Sequence, residues 1–358
     1  MSLTKFQNRP AWQIQSDEIR VTVMQCGGHV AETVYRPTGI NPLWIQDRPT
    51  IDADQYDPRI HGTIYGDDGE AKLISGLLGH NLCLPYWGLP SEAEYRRGMT
   101  CHGEPNTVRW QEQLQTADSL RLRATLPESG LRLDRNLRCE GPIVHFETTV
   151  ENLLSLDRPI AWCEHVTIGP PFLSSVETGF WASAGRGYRT TKNFNDVYSW
   201  PEGRGQIPCD LSRFAGQPHS DLVNSFLVKT DGEYGLFATW NARLGSIFGY
   251  CFPAEQFRWL NVWENNDERM KTRGMEFSNT PIEGSMKQLF ATPRVLDQPT
   301  FEWLDAGSYI TKKFFSFTLA IPSSFKGLAS VRFDGEVIEI LESGNNSASR
   351  LHVGKVLD

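Results

Sequence analysis

The sequence predicts an all-β fold, a large antiparallel β-sandwich with few short helices. Three observations carry that expectation. Long stretches alternate apolar and polar residues with the period of two of half-buried strands. Leu120, Leu122, Ala124 and Leu126 alternate with Arg121, Arg123 and Thr125, and the stretches 131–138 and 144–150 repeat the pattern. The breaks between them, Pro127-Glu128-Ser129-Gly130 and Glu140-Gly141-Pro142, have hairpin chemistry. No helix of three turns competes, and short helices are expected only near 92–97, 254–258 and 285–290. The chain shows no fixed-period repeat and no clean linker. The expected organisation is therefore one β-sandwich domain over residues 1–358.

In order, Trp12–Gln15 and Ile19–Val23 read as strands joined at Ser16-Asp17. Gly27-Gly28 interrupts, and His29–Tyr35 resumes the alternation. Residues 36–75 are polar with scattered Pro, Asp and Gly, and read as loops. Residues 79–110 form an aromatic-rich stretch punctuated by Gly and Pro. Long loops that keep their aromatics are commonly ordered and functional. Its end, Cys101-His102-Gly103-Glu104, leads into Thr107–Trp110, read as a strand start. The glycine after His102 permits a close approach of backbone or ligand. After the meander of 120–150, residues 160–168 make one more strand before Pro170-Pro171. Residues 183–220 read as a polar surface excursion. Strands return at Ser225–Lys229, Tyr234–Trp240, Ser246–Phe252 and Trp259–Glu264. Asn265–Arg273 is charged and reads as loop, followed by the short Met275–Ser278. The last strands are expected at Lys312–Ile321 and Val331–Leu341.

Composition excludes several function classes. With 39% hydrophobic and 22% charged residues, the chain is an ordinary globular one. Its net charge of −8 and scattered basic residues argue against nucleic acid and anionic membranes as partners. Seven cysteines with no CxxC pair argue against a zinc knuckle and for reduced thiols, hence the cytoplasm. No secretory h-region and no apolar stretch of about 18 residues is visible. Eleven tryptophans suit stacking on sugar rings as well as a large β core.

The order of features resembles the galactose mutarotase-like family, the aldose 1-epimerases and their relatives. The resemblance rests on Gly27-Gly28 in the opening strands, on Pro37–Trp44, and on Asn81-Leu82-Cys83-Leu84-Pro85-Tyr86-Trp87-Gly88. It continues in His102-Gly103 running to Trp110, similar to the family's HG…W motif, in His165, and in Glu276 beside Ser278-Asn279-Thr280. It spans roughly residues 10–325. Phe277 stands where the family has proline. Glu164-His165-Val166-Thr167 replaces Asn-His-x-Tyr-Phe-Asn, and Glu104 follows His102-Gly103 where an aromatic and an arginine are common. These departures imply a divergent member.

The resemblance implies a supersandwich and an isomerase that interconverts the α and β anomers of a free sugar. It implies no metal, no cofactor and a small-molecule carbohydrate as partner. Glu276 would be the base, His165 the acid at the ring oxygen, and His102 would assist. Opening a hemiacetal needs such an acid and base with pKa values near neutral. Candidate substrate contacts are His80, Arg96, Arg97, Asn106, Arg109, Trp87 and Trp263. For any single Arg, structural ion pairing is the commoner role, and a histidine on an alternating strand is more often a satisfied core residue. Arg273, three residues before Glu276, would lower the glutamate's pKa if it lay beside it.

Three rival readings share these residues. One is a non-catalytic carbohydrate-binding protein. Another is a lyase or hydrolase using Glu104, Glu164 or Glu264 as a second carboxylate about 5–9.5 Å away. The last is a metal site of His80, His102 and His165 with a glutamate, although their spacing fits no local metal motif. The sugar's identity, and whether the protein is a monomer or a homodimer, are open at this level.

Overall fold

The computed structural model describes residues 3–189, 194, 196–205, 208–214, 219–229, 232–266, 270–345 and 348–354, with backbone alone at 219–221. Two large antiparallel sheets face each other. The first has eleven strands, and its central part runs His80–Cys83, Cys163–Ile168, Lys271–Ser278, Trp259–Asn266, His219–Val228 and Ala184–Arg189. The second has eight strands, in the order Thr178–Ala182, Tyr234–Asn241, Ser246–Pro253, Tyr309–Ala320, Ile143–Asn152, Leu131–Glu140, Ser119–Leu126 and Gln111–Gln115. The all-β expectation holds. The helices are short, at Pro58–Tyr65, Ala71–Ile74, Glu92–Arg96 and Met286–Ala291, and none is long and apolar enough to cross a membrane.

Alternation decides which side chains enter the sandwich. Leu82, Leu84, Leu120, Leu122, Leu133, Phe146, Val166, Ile168, Val262, Met275, Phe277 and Phe314 meet in one buried cluster between the sheets. Phe277 stacks on Phe252 at 4.5 Å and meets Phe314 edge-on at 4.9 Å. The residue that replaces the family's proline is thus a core plug, and its neighbour Glu276 must face the opposite side. We expect Phe277→Ala to destabilise the protein by about 3–5 kcal/mol, read as a lowered midpoint of denaturant unfolding.

Several boundaries differ from expectation, for local reasons. Pro58–Tyr65 lies in the stretch read as loop. It starts at Asp57, whose side chain accepts from the Arg59 N–H, with Pro58 in the first turn, a start signal hidden by the polar context. Residues 254–256 form a turn and no helix. Thr107–Trp110 is irregular, and the strand begins at Gln111. The charged run after Glu264 continues one strand to Asn266 and opens the next at Lys271, because hairpin pairing carries polar residues along with the ladder. The excursion 183–220 carries the strands Ala184–Arg189, Tyr198–Ser199, Glu202–Arg204 and Pro208–Asp210. The final stretch is a separate three-stranded sheet, Leu328–Phe333, Val337–Glu342 and Ala348–His352. Its Leu328, Val331, Ile338 and Ile340 cover Ile143, Leu236, Trp240, Phe315 and Phe317 on the outer face of the eight-stranded sheet.

Candidate active site

Directly opposed residues of an antiparallel ladder share one face. In the eleven-stranded sheet His165 is opposite Asn81. The flanking pairs Glu164 with Phe277 and Thr167 with Gly274 put His165 opposite Glu276. Glu276 is opposite Asn261, Asn261 opposite Ser225, and Ser225 opposite Tyr188. A polar row, Asn81–His165–Glu276–Asn261–Ser225–Tyr188, therefore crosses six strands on the face turned away from the sandwich interior. All six residues are buried.

At the centre of the row His165 Nε2 lies 3.2 Å from Glu276 Oε1. Neither Glu276 oxygen has a hydrogen bond of good geometry among the described residues. The distance is that of an ion pair, yet burial favours the neutral forms. It pushes the Glu276 carboxyl well above its ordinary range, helped by the nearby Glu283, and the His165 imidazole well below its own. Both directions favour a shared proton on the carboxyl beside a neutral imidazole.

His102 stacks at a tilt over His165, with ring centroids 4.9 Å apart. Its backbone is left-handed, φ 62°, and its Nδ1 accepts the Gly88 N–H at 2.9 Å. Burial holds its pKa near 4, so the imidazole is neutral at pH 7 and carries its proton on Nε2. Gly103 is needed here. At its φ of 77° an added Cβ would sit 1.7 Å from the Leu84 carbonyl oxygen. The chain closes on the strand end at that point and delivers His102 to the row.

Gly274, on the same strand as Glu276, leaves the space that the carboxyl occupies, since a Cβ there would lie 2.3 Å from Glu276 Oε1. Gly274→Ala should displace the carboxyl while leaving a folded protein. Circular dichroism should be unchanged, and any activity that uses Glu276 should fall at least about tenfold.

Trp263 meets His165 edge-on at 6.0 Å, and Trp87 and Trp263 pack with Cys83, Cys163 and Val223 on this face. Among the described residues, several buried polar atoms here have no hydrogen-bond partner: Asn81 Oδ1, Asn261 Oδ1, Trp87 Nε1, Trp259 Nε1, Asn265 Oδ1 and Thr272 Oγ1. Each such atom costs about 1–3 kcal/mol unless something supplies a bond.

Of the residues proposed from sequence, Glu276, His165, His102, Trp87 and Trp263 converge here. The others lie elsewhere. His80 faces the sandwich interior, one residue out of phase with Asn81. There it contacts Glu164 Oε2 at 2.8 Å and the Tyr250 hydroxyl at 3.0 Å. That orientation also separates it from His102 and His165 as a metal triad. Arg96 is exposed and pairs with Glu92, and Arg97 lies 3.9 Å from Glu128. Arg109 is held by Asp52 and Asp54. Asn106 donates to the Leu82 and His102 carbonyls, so it positions the His102 loop from behind. Arg273 does not lie beside Glu276. An odd spacing of three puts it on the inner face, where it pairs with Glu264 and bonds the Leu211 carbonyl. The rival carboxylates are also committed. Glu104 accepts the Glu128 and Ser129 N–H groups, Glu164 binds Arg135, and Glu264 binds Arg273. Sequence reasoning missed Asn81, Asn261, Trp259 and Gly274. Three were within reach, because Trp259 and Asn261 share the parity of Trp263, and Gly274 that of Glu276.

All seven cysteines carry free thiols. The surface hollows of about 420 and 560 Å³ are lined by other residues, and the Glu276 row is shut from solvent.

Solved structures of similar fold are consistent in kind. A Klebsiella pneumoniae protein described as a candidate aldose 1-epimerase superposes with a TM-score of 0.66 at 14% identity, covering 89% of this chain and 82% of its own. A Clostridium acetobutylicum galactose mutarotase-like protein gives 0.64 at 10% identity, covering 89% and 98%. A Lactobacillus acidophilus galactose mutarotase-related enzyme gives 0.59 at 10% identity, covering 87% and 98%. The chain has the galactose mutarotase-like fold. No family model and no curated protein matches the sequence. At these identities the likeness establishes the galactose mutarotase-like architecture and leaves the chemistry to the residues.

Proposed function

We propose that the protein is an aldose 1-epimerase-like isomerase that interconverts the anomers of a free sugar by acid–base ring opening. The observation that carries this reading is the buried His165–Glu276 pair, whose carboxyl has no competing hydrogen bond among the described residues. Unsatisfied amide oxygens and indole N–H groups around the pair suit a polyol, which donates and accepts at every hydroxyl. Indole faces suit the apolar faces of a pyranose. The free thiols support a reducing compartment such as the cytoplasm.

In this mechanism a sugar hydroxyl bonding to Glu276 stabilises its carboxylate, and the shared proton moves to His165 across 3.2 Å. Glu276 then takes the proton of the C1 hydroxyl while His165 returns one to the ring oxygen. The bond between C1 and the ring oxygen breaks, an open-chain aldehyde forms, and the C1–C2 bond rotates. The reverse transfers close the ring on the other face. His102 donates its Nε2–H to the oxygen that gains charge.

The pair must hold one proton, so the expected pH profile of kcat/KM is bell-shaped. Its acid limb reports the second protonation, on an imidazole pushed down by burial, and lies below the usual histidine range near 6.5. Its alkaline limb reports loss of the last proton from a carboxyl pushed up by burial, and lies above the usual range near 4.3. A profile rising through pH 6.5 to 8 would contradict these directions. The reading itself is tested by saturation-transfer NMR on a panel of free aldoses and uronic acids. Catalysed exchange for one sugar supports it. Saturable binding without exchange for any sugar replaces it with a carbohydrate-binding role.

A further inference from the structure

A hollow of about 420 Å³ opens on the outer face of the eight-stranded sheet, beside the apolar area that the three-stranded sheet covers. Two lines of opposed residues build it. Arg121, Asn136, Glu147 and Lys313 form the first line across four strands, and Arg138, His145 and Phe315 form the second. Three cations and one carboxylate therefore line the hollow in a chain whose net charge is −8. Arg121 gives its Nε–H to Asn136 Oδ1, and among the described residues no carboxylate lies within 4.0 Å of it. Asn136 in turn holds Glu147 Oε1. Arg138 pairs with Glu140 at 2.6 Å.

His145 is the unusual member. It is 8% exposed, lines the hollow, and among the described residues neither ring nitrogen has a hydrogen bond of good geometry. Its Nε2 lies 3.4 Å from Glu140 Oε2 without the geometry of one. Burial and Arg138 hold it down near pKa 4, so at pH 7 it presents a buried N–H whose closest carboxylate, Glu140, is poorly aligned to accept it.

We propose that this hollow binds a phosphomonoester group, with Arg121 and Arg138 as the cationic contacts and His145 as the buried donor. A phosphate dianion offers three strong acceptor oxygens to the donors that line the hollow, more than a planar carboxylate can. The site lies on the other sheet from Glu276 and does not depend on the function proposed for that residue.

The test follows the His145 ring resonances of the full chain by NMR, assigned through their loss in His145→Gln. Inorganic phosphate, glycerol phosphate and acetate are titrated at constant ionic strength. Both phosphate probes should shift the resonances saturably and raise the His145 pKa, with acetate weaker. Arg121→Gln, an exposed change that leaves the core intact, should weaken the phosphate effect about tenfold. No saturable shift, an equal response to acetate, or the same affinity in Arg121→Gln would each overturn the proposal. Response to inorganic phosphate alone would also reject a phosphomonoester ligand.

Discussion

Glu276→Gln is expected to abolish anomer exchange and leave the protein folded. Glutamine has the shape of a protonated glutamate, and burial already favours the uncharged carboxyl at this position. Thermal stability should therefore be unchanged or slightly raised, because the variant cannot enter the charged form that burial penalises. The amide cannot take the C1 hydroxyl proton. A positioned acid–base group contributes about 10²–10⁴-fold, and exchange should fall by that factor. Saturation-transfer NMR on the active sugar measures the rate, and a melting curve on the same sample measures the fold. Wild-type exchange in this variant would remove Glu276 from the chemistry and leave His165 and His102 as the groups to test.

Glu164→Leu should produce the largest loss of stability. Directly behind His165, Glu164 accepts from Arg135 Nη1 and Nη2, each at 3.0 Å, and from Trp162 Nε1 at 3.0 Å. Burial alone would push its carboxyl up, but Arg135 and His80 hold it near pKa 2. Arg135 also lies over the Phe146 and Phe314 rings, deep between the sheets. Removing the carboxylate strands a buried guanidinium, at a cost of about 3–5 kcal/mol. Replacing both partners, Arg135→Met with Glu164→Leu, should recover most of that loss, because no charge is then left unpaired. Denaturant midpoints of the three variants decide the matter. A double variant no more stable than Glu164→Leu would mean that the network acts through its shape and not its charge. The wild-type network should also fail in acid. A carboxyl held low contributes stability above its unfolded value near 4.3, and that contribution is lost as pH falls towards 2.

Much of this molecule follows from local periodicity. A period of two, read on the sequence, puts Glu276 on one face and Met275 and Phe277 on the other, whatever the strand later pairs with. Turn chemistry separates the meander strands 120–126, 131–138 and 144–150, and His102-Gly103 marks a place where the chain can close tightly on a strand end. Those features depend on residues a few positions apart, where sterics and alternation are strong. What the chain alone leaves open is which faces meet. His80 and Asn81 are neighbours in one strand, and only the packing of the two sheets decides that His80 enters a buried ion network while Asn81 joins the candidate site. Likewise only the strand order brings the His165 strand beside the Glu276 strand, and with it the 3.2 Å contact between two groups far apart in the chain. The same order sets the amides of Asn81 and Asn261 beside the pair, buried on the same face. Burial then sets where the shared proton rests, because desolvation is a property of the assembled sheets and not of any segment.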